Sequence, residues 1–184
     1  MEKDMTVGKP ASVIISFTIP ILIGNIFQQL YNMADTIIVG RYVGNRALAA
    51  VGSTGTFMFL IYGLVTGMTV GFTVSTAQRF GAGDMDGMRK SVASAIKLAA
   101  IVTALMTAVT MIFMRPMLRL MNTPSDIFDD AYSYIMIICA GIAAQVLYNM
   151  LSAILRALGN SKTPLYFLIL SALLNIGLDL VFIK

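Results

Sequence analysis

Apolar residues run in long blocks along this chain, and the polar residues inside those blocks recur at helical spacing. Five blocks stand out, at about residues 13–39, 50–76, 91–114, 131–155 and 164–183. Each approaches or exceeds the roughly 20 residues that carry a helix across about 30 Å of hydrocarbon. A barrel strand would alternate every second residue, and these blocks do not. The expected fold is all-α: a polytopic membrane helix bundle of five transmembrane helices. Residues 1–12 form a polar N-terminal segment and 13–184 the helical domain.

The first block carries an acid, Asp35, where a membrane helix should have none. At 3.6 residues per turn, Pro20, Gly24, Gln28, Tyr31 and Asp35 share one face, while Leu22, Ile23, Ile26, Leu30, Ile37 and Ile38 cover most of the rest. Such a polar stripe must face other helices or a wet cavity. Pro10 suits the first turn of this helix. Pro20, in its interior, removes one backbone hydrogen bond and should bend it near residues 16 to 20.

Later blocks carry their own punctuation. Gly40 to Arg46 reads as the first loop. Gly63, Gly67 and Gly71 stand at four-residue spacing in the second block, a pattern that lets helices approach closely. Asp84 is placed to cap the third helix, where Lys97 can snorkel to the headgroups. Thr123-Pro124-Ser125-Asp126 reads as a cap, a first-turn proline and an acid, so the fourth helix should start near Pro124. That helix is the most polar, with Gly141, Gln145, Asn149, Ser152 and Arg156 on one face and Gly159 as its C-terminal cap. Gln145 and Asn149 either hydrogen-bond neighbouring helices or line a cavity; the pattern fits both. The fifth helix begins around Pro164 and carries Asn175 and Asp179 one turn apart.

Composition agrees. The chain is 58% hydrophobic and 12% charged, about half the charged share of a soluble domain. Without histidine, no His-based catalysis or His metal site arises, and the single Cys139 permits no intrachain disulfide. No constellation supports an enzyme, and no cofactor is expected. Fourteen methionines without tryptophan would suit a cavity that adapts to its contents. The net charge of +4 is a topology signal and does not point to nucleic acid. With the N-terminus inside, eight basic residues fall on the cytoplasmic side and five outside, a bias that favours this orientation.

In that orientation the first and fifth helices both run outward. Asp35 and Asp179 then lie at similar depth, and no Lys or Arg sits on the outer half of any span to pair with them. An Asp in mid-span costs about 2.5–3.5 kcal/mol. A cation must come from elsewhere: a proton, Na⁺ or a cationic substrate. Asn175 adds an uncharged oxygen suited to a hard cation. Each acid could instead reach interfacial water alone, but two at one depth on polar faces fit transport coupling better.

Pro20 through Gln28-Gln-Leu-Tyr-Asn-Met-Ala-Asp35, Ala77-Gln-Arg-Phe-Gly-Ala-Gly-Asp84, Leu155-Arg-Ala-Leu-Gly-Asn-Ser-Lys-Thr-Pro164 and Leu174-Asn-Ile-Gly-Leu-Asp179 resemble, in family order, segments of the multidrug and toxic compound extrusion (MATE) transporters. The bacterial drug-efflux branch is the nearest in pattern. The resemblance implies a two-lobe, twelve-helix antiporter of the bacterial inner membrane. It exports organic, often cationic compounds in exchange for H⁺ or Na⁺. It also implies a cation site at Asp35, Asn175 and Asp179, cavity positions at Gln28 and Tyr31 with Asn32 beside them, and a helix kink at Pro20. Five helices match, so a sixth helix and a C-terminal lobe are expected from elsewhere for transport by alternating access. A lipid-linked sugar flippase would line its lobe with Arg and Lys, which these spans lack. A membrane assembly subunit or remnant is the non-transport alternative.

Overall fold

The structure, a computed structural model, describes residues 8–182. Glu2, Lys3 and Asp4 of the N-terminal segment, and Ile183 and Lys184 after the fifth block, lie outside the described residues. Every apolar block is helical, and the described residues contain no strand. Helix α1 spans Pro10–Ile38 and runs unbroken through a buried Pro20. A π-helical turn, Val39–Val43, follows where a loop was expected. Gly44, at φ +110°, closes it through its N–H to the Val39 carbonyl at 3.1 Å.

Helices α2 (Asn45–Gly81) and α3 (Met85–Leu120) hold 37 and 36 residues. At 1.5 Å per residue each is about 55 Å long, well beyond the hydrocarbon thickness. Helices α4 (Phe128–Ala140) and α5 (Ile142–Ala157) occupy the fourth block, and α6 (Lys162–Phe182) the fifth. Helices α1 with its π turn, α2 and α3 are long and apolar enough to cross a membrane, and α4 with α5 would make a fourth span. The 21 residues of α6 reach about 31 Å, also a span's length.

Three expectations are corrected. The fourth block is two helices meeting at a 46° bend. Gly141 sits at the break, its N–H shared between the carbonyls of Ile137 and Ile138 at 3.2 and 2.9 Å. That tightened turn leaves little room, since a Cβ there would stand 3.2 Å from the Ile138 oxygen. The start near Pro124 is also displaced. Ile127 donates to the Pro124 carbonyl at 3.2 Å in a separate turn, and α4 begins at Phe128. The Thr123 hydroxyl oxygen caps nothing; it is buried without a hydrogen-bond partner. Finally, a Cβ added at Gly63, Gly67 or Gly71 would meet nothing within 4 Å. The glycine stripe does not seat a neighbouring helix among the described residues.

The chain divides into two compact units. Among the described residues, one comprises 8–38, 73–92 and 151–182; the other comprises 39–72 and 93–150. In the first unit, α1 packs on α6. The α2–α3 turn also belongs to it. Gly83, at φ +74°, and Asp84 donate to the carbonyls of Phe80 and Arg79, both at 3.0 Å, ending α2. Asp84 then caps α3, accepting from the Gly87 N–H at 2.8 Å, and pairs with Arg79 at 3.1 Å. The same Gly motif ends α5 at Gly159, and Asn160 accepts from the Thr163 N–H at 3.1 Å to start α6.

In the second unit Met114, Leu118, Ile135 and Cys139 are fully buried. The Arg115 guanidinium lies 4.7 Å from the Tyr132 ring centre, and Arg46 pairs with Asp130 at 2.7 Å.

The α2–α3 turn yields a prediction. Any Cβ at residue 87 would overlap the Asp84 carboxylate and the Arg79 guanidinium. Gly87→Ala and Asp84→Ala should each destabilise the protein by about 1 kcal/mol, the usual size of a lost cap. The double variant should lose less than the sum, because both act on one cap. Unfolding titrations in mixed micelles check this.

Candidate functional site

Helix α1 has three faces, and each meets something different. Pro20, Gly24, Tyr31 and Asp35 lie on the face packed on α6. Against Gly24, Leu165 and Leu168 come within 3.6 and 3.5 Å of where a Cβ would sit. Eleven residues further along α1 is Asp35, and eleven beyond Leu168 is Asp179. The two helices therefore run parallel, and their acids reach the same level, about 16 Å from the Gly24 contact.

At that level Asp35 stands on α1 and Asp179 on the α6 helix packed against it, with Tyr31 one turn before Asp35. Asp35, Tyr31, Asn175 and Asp179 are all half-buried. No salt bridge reaches either acid among the described residues; ion pairs lie elsewhere, at Arg46–Asp130, Arg79–Asp84 and Arg89–Asp86. The Asn175 Oδ1 and Asp179 Oδ2 atoms are buried with no hydrogen-bond partner. Leaving such an atom unsatisfied costs roughly 1–3 kcal/mol. The site thus offers carboxylate oxygens, an amide oxygen and a phenol, all suited to a proton or a hard cation. No cluster of three acids or thiols occurs among the described residues, so a cation here would draw on neutral oxygens as well.

Beyond the α6 contact, Gln28, expected on the face of Asp35, is exposed, as are Asn25, Gln29, Asn32 and Thr36 on the adjoining face. Sequence reasoning named Gln28 and Asn32 but passed over Asn25 and Gln29. Their spacing, at 25, 28, 29, 32 and 36, was the available signal. The third face is apolar and exposed: Leu22, Ile26, Leu30, Met33 and Ile37.

Gln145 and Asn149 lie on α5 in the second unit, both half-buried. Asn149 donates from its side chain to the Gln145 carbonyl at 2.9 Å, a bond within its own helix. That unit also has a shallow, narrow apolar cleft lined by Val65, Met68, Thr69, Phe72, Met106 and Val146 among others. It presents no charged group.

Comparison with known proteins places this geometry in context. The chain is 29% identical over 98% of its length to the probable multidrug resistance protein YpnP of Bacillus subtilis, covering 41% of that relative. It is 30% identical over 88% of its length to YoeA of the same organism, covering 35%. A FAD transporter of Shewanella oneidensis matches at 25% over 91% of the chain. Among solved structures, a MATE protein in complex with MaD5 superposes over the whole chain with a TM-score of 0.90 at 30% identity. A MOP superfamily transporter from Pyrococcus furiosus gives 0.89 at 31% over 96% of the chain. The chain spans about 40% of the length of these proteins. The family model described as MatE matches residues 20–181. On that match, and on a helical frame shared with solved MATE structures, this chain belongs to the multidrug and toxic compound extrusion family.

Proposed function

We propose that this chain forms the cation-coupling part of an antiporter that exports organic small molecules in exchange for H⁺ or Na⁺. It does so with a further lobe supplied alongside it. The observation that carries this reading is the pair of buried, unpartnered oxygens on Asn175 and Asp179 beside the half-buried Asp35. A cation or proton held there would satisfy those oxygens and offset the repulsion between the two carboxylates. Its release would leave like charges facing across the α1–α6 contact, favouring displacement of the outer part of α1. The amides on α1 would move with it, so ion occupancy would set the shape of the cargo path. Work of this kind rests on two bodies exposing a site alternately to each side of the membrane.

In this reading Gln28, Tyr31 and Asn32 line a cargo path along α1, and Gln145 and Asn149 are separate candidates for cargo contact on α5. Neutral amides donate and accept alike, so they bind organic cargo without selecting its charge. That latitude accommodates both the drugs and the FAD named for the relatives. The N-terminus lies on the cytoplasmic side of a bacterial inner membrane, as the basic residues favour.

Two variants test the site in cells that also produce the remaining lobe. Asp35→Asn should abolish drug resistance while the protein still reaches the membrane, read by growth in the drug and by membrane immunoblot. Resistance unchanged from the parent would remove Asp35 from the mechanism. Asp179→Asn should shift the dependence of efflux on H⁺ or Na⁺, measured as dye export from vesicles under imposed ion gradients. An identical ion profile would leave Asp179 with a packing role alone.

A further inference from the structure

The fourth span is irregular near its middle. Helices α4 and α5, of 13 and 16 residues, meet there at a bend of 46°. The Gly141 N–H is shared between the Ile137 and Ile138 carbonyls. The regular helical bonds from Ile142 to Ile138 and from Ala144 to Ala140 are not made. Just beyond, Gln145 donates to the Gly141 carbonyl at a long 3.2 Å, and the Gln145 carbonyl accepts from the Asn149 side chain at 2.9 Å. A side chain that competes for a helix carbonyl favours bending. The packed side nevertheless runs through the break in phase: Ile135, Cys139, Ile142, Val146 and Met150 are all buried. On the other side Ala140, Gly141, Ala143 and Ala144 are exposed and carry nothing larger than a methyl group.

Two opposed terms set this bend. A straight span would make both missing bonds, which are strong where water is scarce. The bent span keeps Val146 and Met150 packed. In a membrane that packing brings no hydrophobic gain, because acyl chains are as apolar as a protein core; only van der Waals contact is at stake. Two backbone bonds thus stand against the contacts of two side chains, and the settings are close in free energy.

We propose that Gly141 is a hinge at which the fourth span alternates between this bent setting and a straight one with a complete ladder. The residue type fits the role. Its φ of −83° and ψ of −3° lie at the edge of the helical region, open to any residue. Glycine is needed for space: in the bent setting a Cβ would stand 3.2 Å from the Ile138 oxygen. In a straight helix the same Cβ is favourable, since alanine is the better helix former. With α4 held fixed, the 46° swing carries Asn149, eight residues beyond the hinge, through about 9 Å, and Gln145 about half as far. Both amides move while α5 stays whole. The hinge does not rest on the coupling reading.

The full chain carrying Cys139→Ala, Leu105→Cys and Leu147→Cys, spin-labelled and reconstituted in phosphatidylcholine vesicles, provides the test. Both label sites are exposed, one on α3 and one on α5. Pulsed electron resonance should show two populations of spin–spin distance, as a swing of about 7 Å at residue 147 requires. Gly141→Ala should raise the straight population relative to the bent one by about fivefold or more. Gly141→Pro, without the N–H that a straight helix uses, should leave the bent distance alone and so identify it. Circular dichroism of each variant reports whether the helices are intact. A single distance in the parent that Gly141→Ala leaves in place would overturn the proposal. So would a shift in the same direction with alanine as with proline.

Discussion

Two carboxyl groups held at one level by a parallel pair of helices form the constraint on which this structure turns. Neither Asp35 nor Asp179 has a basic partner among the described residues. Each would be expensive alone in a membrane span. A positive species joining them would lower that cost, and it would also satisfy the buried, unpartnered oxygens of Asn175 and Asp179. The packing that creates the situation is ordinary: Leu165 and Leu168 seat against Gly24, and the register carries the two acids to the same height.

The faces of α1 divide the labour. One side packs on α6, one is apolar and exposed, and one presents exposed amides. Pro20 lies within that helix, which stays unbroken, and the π turn follows its C-terminal end. The second unit is built differently, with a dry core of Met114, Leu118, Ile135 and Cys139 and charged contacts around Asp130 and Tyr132.

Much of this was legible in the residues. Block length against hydrocarbon thickness gave the helices, and the 3.6-residue period put Tyr31 and Asp35 on one face. Asp84 announced its cap through a carboxylate placed before a helix, and Gly159 through a backbone conformation that few other residues adopt. Other features were not legible. Periodicity carried straight through Gly141, because a single glycine does not say whether a helix bends there. Thr123-Pro124 had the composition of a cap, yet Ile127 closes its own turn first, and composition does not rank those bonds. The glycines at 63, 67 and 71 signalled close packing, but their neighbour is absent from the described residues. Arg46 and Asp130 stand 84 positions apart, a separation no local rule bridges.

The juxtaposition of residues 35 and 179 can be measured without any transport assay. In a Cys139→Ser chain, Asp35→Cys and Asp179→Cys would be treated in membranes with a short bifunctional thiol reagent, with Gly24→Cys and Leu168→Cys as the reference pair. The account predicts an intramolecular cross-link for both pairs. A cross-link between 24 and 168 with none between 35 and 179 would contradict it.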